Sequence, residues 1–125
     1  MARKYLTLDD IRAYKIASEL SDYVWNAVLK WDWFAKKTLG AQLTTAVDSI
    51  AGNIAEGFGR YHKKDKIKFY YNARASVFES AHWIKKAFNR DLISSDVSNC
   101  ILERLRILPR EINHFIDLTD KKLSV

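Results

Sequence analysis

Apolar side chains recur along this chain every three or four residues, in four separate stretches. The first runs through Ile16, Leu20, Val24, Ala27 or Val28 and Trp31, a helical period. Thr7 and Asp10 have the spacing of a capping box, with Asp in place of the usual Glu. They predict a first helix from near Leu8 to about Lys30. Asp32 is the expected N-cap of a second helix. Its stripe is Leu39, Leu43, Ala46 or Val47, Ile50, Ile54 and Phe58. A third helix starts near Lys63 and follows Ile67, Tyr70 or Tyr71, Arg74, Val77 or Phe78, Ala81, Ile84 and Phe88, closing at Asn89-Arg90-Asp91. Ser94 or Ser95 caps the fourth, and Asp96 favours its first turn. Its core face is Val97, Ile101, Leu105, Leu108, Ile112 and Phe115 or Ile116. Pro109 lacks an N–H, which predicts a kink near Leu105 to Pro109 with the helix continuing on both sides. The tail from Asp120 is expected to fray.

The connections between these stretches are short, so consecutive helices are antiparallel neighbours. The fold class is all-α: one domain over residues 1–125, an up-down-up-down four-helix bundle of helices roughly 36 Å long. One Pro and four Gly leave few places for turns. No internal repeat or low-complexity segment interrupts the pattern. Tyr14, Tyr23 and Trp25 make the first helix apolar beyond one stripe. Such width predicts a second covered surface, against another subunit or a protein partner.

Charge sharpens this picture at one place. Residues 60–74 hold Arg60, Lys63, Lys64, Lys66, Lys68 and Arg74 against a single acid, Asp65, and so carry +5 of the chain's formal +6. Positive charge gathered in one segment points to a polyanion, nucleic acid above all. Tyr61 or Tyr71 within the run can stack on bases, whereas Phe69 and Tyr70 have the spacing of core residues. Cys100 is the lone cysteine; it can form no internal disulfide and is expected as a small core residue. Nothing apolar follows Met1-Ala2-Arg3-Lys4, and no run is long enough to cross a membrane. A cytoplasmic protein without membrane contact is expected.

Between the second and third helices lies Ser49 to Arg60, Ser-Ile-Ala-Gly-Asn-Ile-Ala-Glu-Gly-Phe-Gly-Arg. Asn53 and Glu56 are three apart and share a helix face; Glu56 and Arg60 are four apart in the favourable order for an ion pair. Gly57 and Gly59 suit a helix end that turns through left-handed conformations. Gly52, mid-helix, suits close helix contact. Arg74 falls on or beside the apolar face and needs a carboxylate, with Glu56 the first candidate, because an unpaired buried charge is costly. Asn53, Glu56, Arg60 and Arg74 thus form a candidate structural polar cluster. The block reads either as a helix stop with that cluster or as a direct contact to a ligand or RNA.

Catalytic and metal chemistry find little purchase. His62, His82 and His114 lie on different elements, without the paired spacing of a helical metal site. Gly57-Phe58-Gly59 is too short for a phosphate loop and follows a helix, where nucleotide motifs follow a strand. No cofactor, metal or catalytic residue is expected. A metal-independent ribonuclease on a helical bundle wants an Arg and a His closer than the seven residues between Arg74 and His82 or Arg106 and His114, and farther than the three between Arg110 and His114.

The block S-I-x-x-N-I-A-E-G-x-G-R resembles the signature of the four-helix-bundle protein family encoded in intervening sequences of bacterial 23S ribosomal RNA genes. Lys64-Asp65-Lys66-Ile67-Lys68-Phe69, Ala73-Arg74-Ala75-Ser76 and Glu79 match the family's start to the third helix. Asp10-Ile11, Tyr14-Lys15, Ala17 and Glu19-Leu20 resemble its opening, and Leu39-Gly40 with Gln42-Leu43 a reversed form of a further motif. Trp33-Phe34 stands where the family has a Pro, and Thr44-Thr45 where it has an Arg-rich pair, so no role of those arginines carries over. The resemblance implies a homopentameric ring of bundles. It also implies kinship with accessory proteins of diversity-generating retroelements, whose ring holds nucleic acid and a reverse transcriptase. The expectation is a non-enzymatic, oligomeric protein binding structured RNA, ribosomal or other, through the basic turn. A protein-interaction scaffold without nucleic acid is the first alternative, and a metal-independent ribonuclease the second.

Overall fold

A computed structural model describes residues 6–122. Thr7 and Asp10 form the predicted capping pair, the Asp10 carboxylate accepting from the Thr7 N–H at 2.7 Å and from its hydroxyl at 3.0 Å. The pair closes a 3-10 turn at Leu8–Asp10 rather than opening the long helix. Ile11 is extended (φ -86°, ψ 112°) and buried, which turns the chain inward before α1, Arg12–Val28, begins. The first helix therefore starts four residues later than its sequence suggests.

Asp32 caps the next helix as expected, accepting from the Ala35 N–H at 3.0 Å. That helix, α2, is three runs without a break: α-helical Trp33–Ala35, a π turn at Lys36–Gly40, and α-helical Ala41–Phe58. The π turn has a cause in the sequence. Ala35, Leu39, Leu43 and Val47 are all buried at intervals of four. At 3.6 residues per turn such a stripe slides about 40° around the helix with each repeat, and one widened turn brings it back over the core.

The third helix, α3, is Lys63–Asn89, and the fourth, α4, is Ser95–Lys122. Ser94 accepts from the Val97 N–H at 3.2 Å and is the cap. The helix α4 continues through Pro109 and runs past the expected fraying point at Asp120; residues 123–125 lie outside the described residues, as do residues 1–5 with their expected lack of a leader.

The helices pack in cyclic order, α1 on α2, α2 on α3, α3 on α4, and α4 back on α1. This is an antiparallel four-helix bundle, and among the described residues no strand occurs. Each predicted stripe faces inward: Leu20 and Val24, Ile50 and Ile54, Val77 and Ile84, Leu108 and Ile112 are almost fully buried. Where the spacing left two candidates, Tyr70 takes the core from Tyr71, and Val77 from Phe78. Cys100 is only half-buried, with its Sγ accepting from Arg104 Nη1 at 2.6 Å, because it lies beside the Ile101 stripe. No helix is long and apolar enough to cross a membrane.

Candidate nucleic-acid interface

The α2–α3 turn, residues 59–62, sits at one pole of the bundle. It can be tight because Gly57 lies where α3 crosses: a Cβ there would stand 2.7 Å from Tyr70 Cε1 and 2.9 Å from the Lys66 carbonyl oxygen. Neither Gly57 nor Gly59 uses a left-handed conformation; among the described residues only Asp91 has a positive φ outside glycine, and no glycine has one. The expected role of Gly57 is thus corrected from conformational to steric, whereas at Gly59 a Cβ would meet nothing closer than the Glu56 carbonyl oxygen at 3.6 Å, so neither demand holds there. Gly52 is corrected too. Nothing lies within 4 Å of the position its Cβ would take, so it serves no contact inside the bundle.

The six cations of the basic run divide by what holds them. Arg60 pairs with Glu56 at 3.1 Å and lays its guanidinium over the Phe69 ring at 4.7 Å. Lys63 reaches across to the end of α4, 3.5 Å from the Asp120 carboxylate and 3.3 Å from its carbonyl oxygen, which ties down the segment expected to fray. Lys66 donates to the Phe58 carbonyl oxygen at 2.7 Å, satisfying a C-terminal acceptor of α2. Burial pushes its ammonium below the ordinary lysine range. Lys64 and Lys68 project outward and are exposed, in no ion pair among the described residues. They are four apart on α3, about 6 Å between Cβ atoms. Tyr61 is 76% exposed beside them, with His62 edge-on to its ring at 5.0 Å, and Tyr71 is 51% exposed one turn beyond Lys68. The outward set is therefore Tyr61, Lys64, Lys68, Tyr71 and the half-exposed Arg60.

Arg74 does not join that surface, and it does not pair with Glu56, whose carboxylate is taken by Arg60. Its Nε is buried without an acceptor among the described residues. Asn53 turns back on its own helix, donating to the Ser49 carbonyl at 2.8 Å. The expected four-member polar cluster reduces to the Glu56–Arg60 pair. Asn53, Glu56 and Gly52 instead line an open groove of about 470 Å3 against Phe69. Below the turn, burial pushes the Tyr70 phenol up to about 12, opposed by a hydrogen bond with Thr119.

Sequence reasoning missed that Lys63 and Lys66 serve the fold. A signal existed for Lys66, since a lysine just past a helix C-terminus commonly reaches its last carbonyls. Among the described residues no group of three or more His, Cys, Asp or Glu side chains comes together as metal ligands would.

The family model described as 23S rRNA-intervening sequence protein matches residues 9–114. No curated protein matches the chain. A crystal structure from Bacteroides thetaiotaomicron VPI-5482, a protein of unknown function from the S23 ribosomal protein family, superposes with a TM-score of 0.74 at 16% identity, over 83% of this chain and 97% of that one. At that identity the likeness concerns the fold.

Proposed function

The chain belongs to the 23S rRNA-intervening sequence protein family, and on that premise we propose that it is a non-enzymatic, homo-oligomeric scaffold that holds structured RNA through the pole carrying the α2–α3 turn. The observation that carries this reading is the pairing of Lys64 and Lys68 on one exposed face of α3, between two exposed tyrosines. Two ammonium groups a helical turn apart suit successive phosphates, and neither is spent on the fold. Contacts of this kind fix orientation and affinity without reading sequence. One bundle offers too few of them for tight binding. A ring of five, as the resemblance implies, repeats them around one rim, and the second and later contacts become intramolecular.

Filter binding of a ribosomal RNA hairpin over a salt series tests the proposal. Affinity falls steeply with salt for the native chain, and Lys64→Glu with Lys68→Glu weakens binding and flattens the slope, since each lost phosphate contact removes roughly 0.7–0.9 from it. An affinity indifferent to salt, or to these two substitutions, sinks it.

The exposed apolar surface at the end of α1 supports the oligomeric part of this reading. Trp25 on α1 and Leu29 at its C-cap are each more than half exposed and stand one turn apart. We assign this surface to contact between copies of the chain.

A further inference from the structure

The opposite pole holds a depression of about 390 Å3 between the π turn of α2 and the C-terminal end of α3. Its polar lining is Lys37, Thr38, Gln42 and Arg90, and its aromatic wall is Trp83. The size lies within the range of small-molecule clefts. Three separate features converge on it. Lys37 and Thr38, which line it, belong to the π turn, and widened turns of this kind recur at functional sites. Lys37 and Arg90 are exposed and enter no ion pair among the described residues. Trp83 is held in place, its indole N–H donating to Glu79 at 3.1 Å and its ring meeting His82 edge-on at 4.7 Å.

We infer that this depression takes a single unpaired nucleotide of an RNA strand. The phosphate sits between Lys37 and Arg90, the base lies against Trp83, and the Gln42 amide meets the base edge with a donor and an acceptor. The Thr38 hydroxyl already donates to the Phe34 carbonyl oxygen at 2.7 Å, and the two cations, the amide and the indole then each have a partner. An acidic peptide would satisfy the two cations and leave the indole and the amide idle. Trp33, a ring 71% exposed with the Lys37 ammonium 4.7 Å from its centroid, lies outside the lining, so an anionic lipid surface would engage that outer pair and leave Gln42 and Trp83 idle. Bases within a duplex are stacked and out of reach, so the strand must be single here.

The inference rests on the RNA reading of the basic turn and adds a second contact at the far end of α2, about 25 Å away by helical rise. A structured RNA with a free strand can engage both poles.

The test uses the full chain with two labelled probes, a blunt hairpin and a short oligouridylate carrying 4-thiouridine. Lys37→Glu with Arg90→Glu weakens oligouridylate binding about tenfold, the scale of losing the charged contacts to one phosphate, and leaves the hairpin unaffected. Gln42→Ala, at an exposed position that the fold does not need, changes the ranking of homopolymers. Photocrosslinks map to peptides containing Gln42 or Trp83. Unchanged oligouridylate affinity in the Lys37/Arg90 variant, or crosslinks confined to the α2–α3 turn, overturns the nucleotide site and leaves the basic turn standing. If instead Lys64→Glu with Lys68→Glu spares hairpin binding while the Lys37/Arg90 variant loses the oligouridylate, the basic-turn reading falls alone.

Discussion

Gly52 and Gly57 sit five residues apart on α2 and answer to opposite demands. At Gly57 a methyl group would stand 2.7 Å from the Tyr70 ring and 2.9 Å from both the Lys66 carbonyl and Phe69 Cβ. Backbone cannot yield as a side-chain tip does, so α3 would have to move. Gly57→Ala is expected to lower stability by about 1–3 kcal/mol, the range for overpacking a close-fitted site. At Gly52 nothing lies within 4 Å, and the helix gains what alanine gains over glycine. Gly52→Ala is expected to raise stability by about 0.5–1 kcal/mol. Urea unfolding of the two variants shows opposite displacements of the midpoint; displacements of the same sign would mean that α3 does not cross at Gly57. If Gly52→Ala stabilises the chain and also weakens assembly or RNA binding, the open groove beside Asn53 and Glu56 is where the gain was being given up.

At the scale of elements, the ends are where this chain's local physics shows most clearly. The end of α3 is a Schellman motif: Leu92 N–H donates to the Ala87 carbonyl at 2.9 Å and Asp91 N–H to the Phe88 carbonyl at 3.1 Å. The motif needs a left-handed residue, and Asp91 supplies it at φ 59°. Aspartate tolerates that region less well than glycine, so Asp91→Gly is expected to stabilise the bundle by about 1 kcal/mol, read as a rise in thermal midpoint. A fall would show that the Asp91 side chain makes a contact worth more than the backbone strain. The same ends show what could be read in advance. Helices, stripes and the Asp32 and Ser94 caps were legible because each depends on residues within one or two turns. The π turn was within reach too, since four buried positions at a spacing of four do not fit a straight helix. What stayed hidden depends on residues brought together from afar. Lys66 is committed to Phe58 only because the turn folds it back, and Lys63 to Asp120 only because α3 and α4 are antiparallel. Arg74 and Glu56 have compatible charges, but Arg60, four residues along the chain in the turn that follows α2, takes Glu56 instead. For the candidate interface this cut a run of six cations to two wholly outward ones and a third shared with Glu56.

Across the whole molecule, the two poles are not alike and the flank between them is unfinished. One pole carries the basic turn and the other the π turn with Trp83. Along α1, Trp25 and Leu29 are 55% and 51% exposed, one turn apart on the same face. They line a dent of about 200 Å3 with Lys36, Ala41 and Thr44 of α2. This dent shares Ala41 with the depression proposed to take a nucleotide but none of that depression's polar lining, so a subunit seated in it need not cover Lys37, Gln42 or Arg90. Covering the exposed half of two large side chains on each copy contributes about 1 kcal/mol apiece, roughly half the value for full burial, enough to bias packing toward one repeated contact. A heterologous contact that closes gives a ring, in which all basic turns share one rim. The native chain is therefore expected to scatter light as a particle several times its 14.5 kDa, five times if the ring is the one its resemblance implies. Trp25→Glu with Leu29→Glu places two like charges in each contact, and is expected to give a folded monomer whose RNA affinity drops far more than the loss of one site. The chain's own lysines are untouched in that variant, so the drop measures what repetition adds. A native protein that runs as a monomer removes the ring, and with it the argument that five weak rims make one firm hold.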